Sequence, residues 1–244
     1  MTYCLGILTK EGLVMAGDSR TNAGSDQVNT VRKMYTFCVP GERAFILLTS
    51  GSLSCAQSVV TLLQSDWDRG AGLAKVATMY DAARAVGAAV RAVAKEDRAA
   101  LEQDGYTFNT NVIVGGQIGS APHALYQVYP QGNPLRAGED NPFLQIGEVK
   151  YGRPILDRGI RFDKTTLHDA ARYALISIDS TMKSNATVGP PIDLLMYMTG
   201  ELSVKRRRRL DLDDPLLNDI RVRWDRALRD AVATLPVINL QPEG

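Results

Sequence analysis

The sequence predicts an α+β fold in which two stacked antiparallel sheets lie between two outer layers of helices, a four-layer αββα sandwich. Strands and helices come in runs, in the order ββββ, αα, βββ, α, ββ, α, and such grouping is typical of antiparallel sheets with helices on their outer faces. Apolar residues make up 45% and charged residues 23% of the 244 positions, as in ordinary globular proteins. Because no internal repeat or low-complexity linker divides the chain, we expect one domain over residues 1–244.

The N-terminal part of the chain predicts four strands. Its apolar runs are rich in β-branched and aromatic residues and are short enough for strands. Four runs have this character: residues 2–8, 13–19, 31–39 and 44–50. Glu11 and Gly12 supply a turn between the first two, and Pro40 and Gly41 supply a turn between the last two. We therefore expect a four-stranded antiparallel meander.

Helical spacing of apolar residues marks four longer stretches. They are residues 52–68, 73–103, 164–184 and 214–235. The first two are expected to pack side by side on one sheet face. Thr165 or Thr166 can cap the third helix, and Asp213 or Asp214 can cap the last, with Pro215 in its first turn.

The remaining apolar runs predict the other strands. They are residues 110–118, 123–130 and 143–147, and a hairpin formed by residues 190–200 and 201–211. Residues 151–157 are expected to start a short helix.

Composition excludes several classes of protein. The formal net charge of +1 gives no general argument for binding nucleic acid or membranes, and no apolar run approaches the ~20 residues of a membrane span. The N-terminus lacks the pattern of a signal peptide. Cys4, Cys38 and Cys55 are odd in number and scattered, which favours free thiols and a reducing cytoplasm.

A threonine directly follows the initial methionine. Removal of Met1 is favoured when the next residue is small, and it would leave a free α-amine on Thr2. That amine titrates near 7.7–8.0 and can take the proton of the threonine hydroxyl, which is otherwise a poor nucleophile. On position alone, however, a threonine at this place is most often an ordinary strand residue.

Two charged residues are expected to lie near Thr2. Asp18 ends the second predicted strand and Lys33 lies at the third, so both would converge on Thr2 in a meander. The charge of Lys33 would lower the pKa of the hydroxyl and of the amine, and Asp18 would orient the lysine; an ordinary ion pair explains the same two residues. The backbone N–H of Gly51 is a natural donor to an oxyanion. Acyl transfer to Thr2 is the reaction class that these residues predict.

Several other signals are weaker. Arg206 to Arg209 invite a nucleic-acid interpretation, but the acidic run 211–214 follows at once, which favours a solvated or subunit-contact face. His123 and His168 lie far apart without metal-ligand spacing, and Gly115–Gly116 begin no dinucleotide motif. Nothing in the sequence indicates a cofactor or a metal.

Separate blocks of the chain resemble one family. GLVMAGDSR, VRKMYTF and LLTSGS, together with Thr2 after Met1, look like the N-terminal half of a proteasome β-type subunit of the N-terminal-nucleophile (Ntn) hydrolases. The longer phrases TYCLGILTKEGLVMAGDSRTNAG, FLQIGEVKYGRPILDRGI and SIDSTMKSNATVGPPIDLLMY are similar to Anbu, the bacterial ancestral β-subunit family. The resemblance implies that Thr2 is the nucleophile, Asp18 and Lys33 its charge partners, and Gly51 the oxyanion donor.

The same resemblance assigns supporting roles to further residues. It implies that Arg20 helps to order the turn at Asp18 and that Asp179 supports the site from the penultimate helix. Ser180 and Ser184 lie in the segment where proteasome β-subunits carry a supporting serine, with altered spacing.

One position departs from the proteasome pattern. IGEVKYG places Glu148 where those subunits have a serine that hydrogen-bonds the terminal amine. A carboxylate there would hold the amine as ammonium, raise its pKa and weaken it as a base. Alternatively, Glu148 pairs with Lys150 or Lys33.

The resemblance therefore implies a threonine-type hydrolase of amide bonds, with a peptide or small amide as substrate, in a ring-like or open helical homo-oligomer. A catalytically weak or vestigial assembly protein, or an Ntn amidohydrolase for a non-peptide amide, are the alternatives. The sequence leaves open the natural substrate, the ring size and an ATPase or unfoldase partner.

Overall fold

Two five-stranded antiparallel sheets lie at the centre of the computed structural model, which describes residues 2–22 and 28–240. The first sheet has the order β10-β1-β2-β11-β12. Its strands are β1 (Tyr3–Thr9), β2 (Gly12–Asp18), β10 (Phe143–Gly147), β11 (Ile192–Met198) and β12 (Arg206–Leu210).

The second sheet has the order β5-β6-β7-β8-β9. Its strands are β5 (Met34–Val39), β6 (Arg43–Gly51), β7 (Thr110–Ile118), β8 (Ala124–Val128) and β9 (Pro134–Arg136). A separate short ribbon pairs β3 (Arg20–Asn22) with β4 (Val28–Thr30).

In residues 2–22 and 28–240, five α-helices cover the outer faces of the sheets. They are α1 (Leu53–Asp68), α2 (Met79–Gln103), α3 (Arg153–Gly159), α4 (Leu167–Ser184) and α5 (Pro215–Ala233), and a short 3-10 turn spans Gly72–Ala74. Thr166 caps α4 by accepting a hydrogen bond from the Asp169 N–H, whereas Thr165 accepts one from the Arg161 N–H. Of the helices in the described part of the chain, none is long and apolar enough to cross a membrane.

Three apolar cores separate four layers, which confirms the predicted αββα architecture. The outer face of the second sheet packs on α1 and α2, as Val59, Val86 and Val114 show. The outer face of the first sheet packs mainly on α4, where Leu175 and Ile178 are buried. Between the sheets lies the third core, which holds side chains of both. Burial on both faces explains why β1 and β2 read as continuous apolar runs.

The predicted four-stranded meander is wrong. The hairpin of β1 and β2 belongs to the first sheet, and the hairpin of β5 and β6 belongs to the second. Between the two hairpins the chain crosses from one sheet to the other. As a result, Lys33, directly before β5, reaches Asp18 at the end of β2 from the facing sheet.

Candidate functional site

Asp18 holds the start of β1 in place next to Thr2. In the β1–β2 hairpin Cys4 lies opposite Gly17, which brings the end of β2 to the beginning of β1. There the backbone N–H of Tyr3 donates to Asp18 Oδ1 over 3.0 Å. The pairing of these strands thus places Asp18 beside the residue that directly follows Thr2.

Lys33 and Asp18 form a buried ion pair. Lys33 Nζ lies 2.7 Å from Asp18 Oδ1 and also donates to the backbone oxygen of Arg20 over 2.6 Å. The residues are 6% and 1% exposed. Burial raises the pKa of the Asp18 carboxyl, and the nearby Lys33 charge, together with hydrogen bonds from Lys33 and from the backbone N–H groups of Tyr3 and Gly189, opposes this rise. The structure thus brings Thr2, Asp18 and Lys33 to one place.

Arg20 anchors the chain that follows α4, residues 185–189, beside this ion pair. Its Nη1 donates to the backbone oxygen of Ala186 over 2.7 Å, and its own N–H donates to that of Gly189 over 3.3 Å. A Cβ at Gly189 would lie 2.4 Å from Arg20 Cζ, so a larger residue there would require the guanidinium to shift. The N–H of Gly189 in turn donates to Asp18 Oδ2 over 3.2 Å. Arg20 and Asp18 therefore both contact residues 185–189.

Glu148 borders Thr2 on the other side. Its backbone N–H donates to the Thr2 carbonyl oxygen over 2.7 Å, and the preceding Gly147 has φ +88 and no room for a Cβ next to the same oxygen. The Glu148 side chain is buried, and its Oε1 lies 3.9 Å from Lys150 Nζ. Of the two lysines considered from the sequence, Lys150 is therefore the one that Glu148 contacts among the described residues.

The sequence did not single out Asn185, which holds the carboxylate of Glu148. Its Nδ2 donates to Glu148 Oε2 over 3.1 Å. Its Oδ1 accepts from both the N–H and the hydroxyl of Thr187, at 3.0 and 2.5 Å, and these bonds fix the orientation of the amide. Residues 185–189 therefore contact Asp18, Arg20 and Glu148 together. The only sequence signal was SNATVGPP, which the resemblance included without assigning it a role.

Asp179 points to a different neighbour. Its carboxylate, 2% exposed, accepts from Arg221 Nε of α5 over 2.7 Å. This contact fixes α5 on α4. Ser180 is half-buried on the same helix and Ser184 ends it. The side chain through which the α4 region contacts Glu148 is that of Asn185, not Asp179.

Gly51 is the last residue of β6 and lies at the same end of the second sheet as Lys33, which directly precedes β5. The Thr49 N–H donates to the Lys33 carbonyl oxygen over 3.0 Å, which places the end of β6 beside the ion pair. Gly51 has φ +106, and a Cβ there would lie 1.9 Å from the Asn109 oxygen. Only glycine suits this backbone conformation.

The arginine run of β12 is largely neutralised by acidic residues of the same chain. Arg208 contacts Asp214 at 3.0 Å, Arg209 contacts Asp193 at 3.1 Å, and Arg206 pairs with Glu201. These pairs leave fewer free positive charges for phosphates, and both a solvated face and a subunit-contact face remain predictions for this strand.

A buried hydrogen-bond network lies behind Thr2 and was not predicted. The Tyr3 hydroxyl contacts Ser177 Oγ at 2.7 Å and accepts from Gln145 Nε2, and Ser177 donates to the Gly152 oxygen over 2.9 Å. Burial raises the pKa of Tyr3 to about 12. The network ties β1, β10 and α4 together behind Thr2.

No side-chain cluster suited to a metal ion occurs in the described ranges 2–22 and 28–240. His123 instead contacts the Thr9 oxygen at 2.8 Å and the Thr199 hydroxyl at 3.1 Å, a structural role.

Three solved structures from different organisms are similar to this chain over almost its whole length. Anbu (Gly-1 mutant) from Hyphomicrobium sp. strain MC1 is 42% identical, covers 98% of this chain and 100% of its own, and has a TM-score of 0.92. Anbu from Yersinia bercovieri is 41% identical with coverage of 98% and 100% and a TM-score of 0.91. The helical assembly of the Anbu complex from Pseudomonas aeruginosa is 45% identical, with coverage of 97% and 98% and a TM-score of 0.92.

A curated relative is more distant. The proteasome subunit beta of Haloferax volcanii is 22% identical over 214 residues, which are 86% of this chain and 79% of that protein. No family model matches the chain.

Proposed function

Because the chain belongs to the Anbu family of proteasome-type β-subunits, we propose that it is an N-terminal threonine hydrolase of amide bonds that works within a self-assembled oligomer. Thr2 is the nucleophile, after Met1 is removed. The observation that carries this proposal is the buried Lys33–Asp18 pair, whose carboxylate accepts a hydrogen bond from the residue directly after Thr2.

The proposed reaction proceeds through an ester of Thr2. Thr2 Oγ attacks the carbonyl carbon of the amide, and the α-amine of Thr2 takes the hydroxyl proton. The N–H of Gly51 donates to the tetrahedral oxyanion. When the C–N bond breaks, the ammonium returns its proton to the leaving amine. Water, deprotonated by the same amine, then hydrolyses the ester and releases the acid.

Lys33 is the charge that favours this chemistry. Its ammonium, held by Asp18 and by the Arg20 carbonyl, lowers the free energy of negative charge forming at the Thr2 hydroxyl. Since the ion pair is buried, water screens this interaction little.

Glu148 supports the proposal that the enzyme is slow or acts on a restricted substrate. The Glu148 backbone N–H donates to the Thr2 carbonyl oxygen, and the side chain is buried. We propose that its carboxylate acts on the freed amine of Thr2 and favours the protonated form. An ammonium cannot take the hydroxyl proton. The carboxylate of Glu148 is equally compatible with two other functions: an assembly protein whose site is vestigial, and an amidase for a non-peptide amide.

The solved helical assembly of the Pseudomonas aeruginosa relative supports self-association of this chain into an open helical or ring-like oligomer. We place the protein in the cytoplasm because its cysteines are free and buried or half-buried.

Mass spectrometry and covalent labelling test the hydrolase. The protein from its native host should begin at Thr2 and react once per chain with a β-lactone or an epoxyketone. Thr2→Ala should abolish the labelling, whereas Thr61→Ala, an exposed threonine of α1, should not change it. Retention of Met1 in the native host would refute the proposal, because the base would then be on the wrong residue.

A further inference from the structure

A buried carboxylate interrupts the apolar strand β11. Asp193 is 7% exposed, and it lies on the face of the strand that also carries Leu195 and Tyr197, which pack between the two sheets. Arg209, which lies opposite Asp193 on the edge strand β12, contacts it at 3.1 Å. Because apolar residues often replace a buried ion pair without loss of stability, the stability of the fold does not by itself explain a carboxylate at this position.

The second partner of Asp193 is Ser19, the residue that directly follows β2. The Ser19 hydroxyl is fully buried and donates to Asp193 Oδ2 over 3.3 Å. The backbone oxygen of Ser19 accepts a hydrogen bond from the Val31 N–H over 2.8 Å. This bond closes the base of the ribbon formed by β3 and β4, and Val31 lies two residues before Lys33. Asp193 therefore holds the point from which the ribbon leaves the body of the protein.

The two neighbours of Ser19 supply the groups that hold the Lys33 ammonium. Asp18, directly before Ser19, pairs with Lys33 Nζ at 2.7 Å. Arg20, directly after Ser19, accepts a hydrogen bond from the same Nζ over 2.6 Å through its backbone oxygen. A displacement of Ser19 would therefore move both acceptors of the ammonium at once, together with the start of the segment that carries Lys33.

We infer that Asp193 is a positioning residue for the proposed reaction of Thr2. Through the Ser19 hydroxyl it fixes the backbone on either side of Ser19, and this backbone sets the place of the Lys33 ammonium. Arg209 supplies the counter-charge of the carboxylate and orients it. The inference rests on the proposed hydrolase, because it assigns Asp193 an effect on the rate at Thr2.

The kinetics of β-lactone labelling, measured over a range of lactone concentrations, test this role. Ser19→Ala and Asp193→Ala should each lower the maximal rate of labelling roughly 10-fold, because a displaced Lys33 ammonium no longer favours negative charge at the Thr2 hydroxyl. The lactone concentration that gives half of the maximal rate should stay unchanged, since the two replaced side chains are buried and cannot contact the lactone.

Further variants separate positioning from a general loosening of the fold. Because Ser19 and Asp193 act through one hydrogen bond, the double variant Ser19→Ala/Asp193→Ala should label no more slowly than the slower single variant. Asp193→Asn keeps an oxygen that can accept from the Ser19 hydroxyl, so it should recover at least half of the native rate. Glu201→Ala is the matched control: it removes the partner of Arg206 on the same strand β12 and should label like the native chain.

Guanidinium chloride unfolding should show that each variant is folded under the labelling conditions. If Asp193→Ala does not fold, Ser19→Ala decides, because it leaves the pair of Asp193 and Arg209 intact.

The outcomes separate this inference from the proposal on which it rests. If the native chain, starting at Thr2, is not labelled, the proposed hydrolase fails, and the positioning role fails with it. If the native chain is labelled and Ser19→Ala and Asp193→Ala label at the native rate, only the role of Asp193 is overturned. Losses that multiply in the double variant, or an Asp193→Asn rate as low as that of Asp193→Ala, would also overturn it, since the hydrogen bond to Ser19 would then not carry the effect.

Discussion

Replacing Asp18 with asparagine should strongly destabilise the protein. The carboxylate accepts three hydrogen bonds: Oδ1 from Lys33 Nζ and the Tyr3 N–H, and Oδ2 from the Gly189 N–H. Asparagine keeps the shape of the side chain, but its NH2 group would face hydrogen-bond donors on one side. It also leaves the Lys33 ammonium, which is 6% exposed, without a counter-charge.

The size of the effect follows from this burial. Removing one partner of a buried ion pair costs about 3–5 kcal/mol, which for a chain of this length is a fall in Tm of roughly 6–20 °C. Replacing Lys33 with methionine in the same molecule removes the unpaired charge. Since apolar residues replace a buried pair almost neutrally, Asp18→Asn/Lys33→Met should recover more than half of the loss.

Guanidinium chloride unfolding at a fixed protein concentration measures these differences. Asp219→Asn is the control, because Asp219 pairs with Arg223 at 2.8 Å in an exposed setting and should cost less than about 1 kcal/mol. If Asp18→Asn costs no more than this control, or if Lys33→Met adds to the loss, the account of a buried and mutually dependent pair is refuted.

Further variants examine the roles of single residues. Lys33→Ala should slow β-lactone labelling of Thr2 by on the order of 100-fold, and unchanged labelling would contradict its role as the activating charge. Glu148→Ser should accelerate β-lactone labelling of Thr2. Glu148→Gln, which keeps the size of the side chain and removes its charge, should also accelerate it. Slower labelling in both variants would show that the carboxylate assists the reaction of Thr2. Asn185→Ala should shift the pH profile of labelling, because Glu148 loses its amide donor, whereas a change of stability alone would indicate a purely structural role. Burial raises the pKa of Tyr3 to about 12, so the neutral phenol stabilises the folded state fully below pH 10, and about 2.7 kcal/mol of this stability is lost as the pH rises through 12. Tyr3→Phe should therefore reduce the fall in the free energy of unfolding between pH 10 and 12. An unchanged pH dependence would contradict a buried, neutral Tyr3.

The layers and most elements could be predicted because they depend on local patterns. Burial on both faces made the central strands apolar throughout, and helical spacing marked α1, α2, α4 and α5. Local chemistry also identified the alternatives at the start of α4, of which Thr166 forms the cap. The assignment of strands to sheets could not be predicted in this way, because a strand's pattern says that it is buried and not which strand it pairs with.

In the candidate site, too, local contacts could be predicted from the sequence and tertiary contacts could not. Asp18 lies near Thr2 because neighbouring strands of a hairpin must meet, and this follows from the sequence. The contact of Asn185 with Glu148 depends on how the chain turns after α4, and the partner of Asp179 depends on which side of α4 carries α5. Both are tertiary facts that residue spacing does not contain.

The contacts of Asp18 also have a consequence for the order of events during synthesis. Asp18 and Gly189, which donates to it, lie 171 positions apart. At about 5–20 residues per second the ribosome needs roughly 10–35 s to make that interval. During this time the N-terminus is outside the ribosome while the contacts around it cannot yet form. Under the proposed mechanism, removal of Met1 during this interval would act on a chain whose site has not yet formed. Residues 185–189 would then complete the surroundings of an amine that is already exposed.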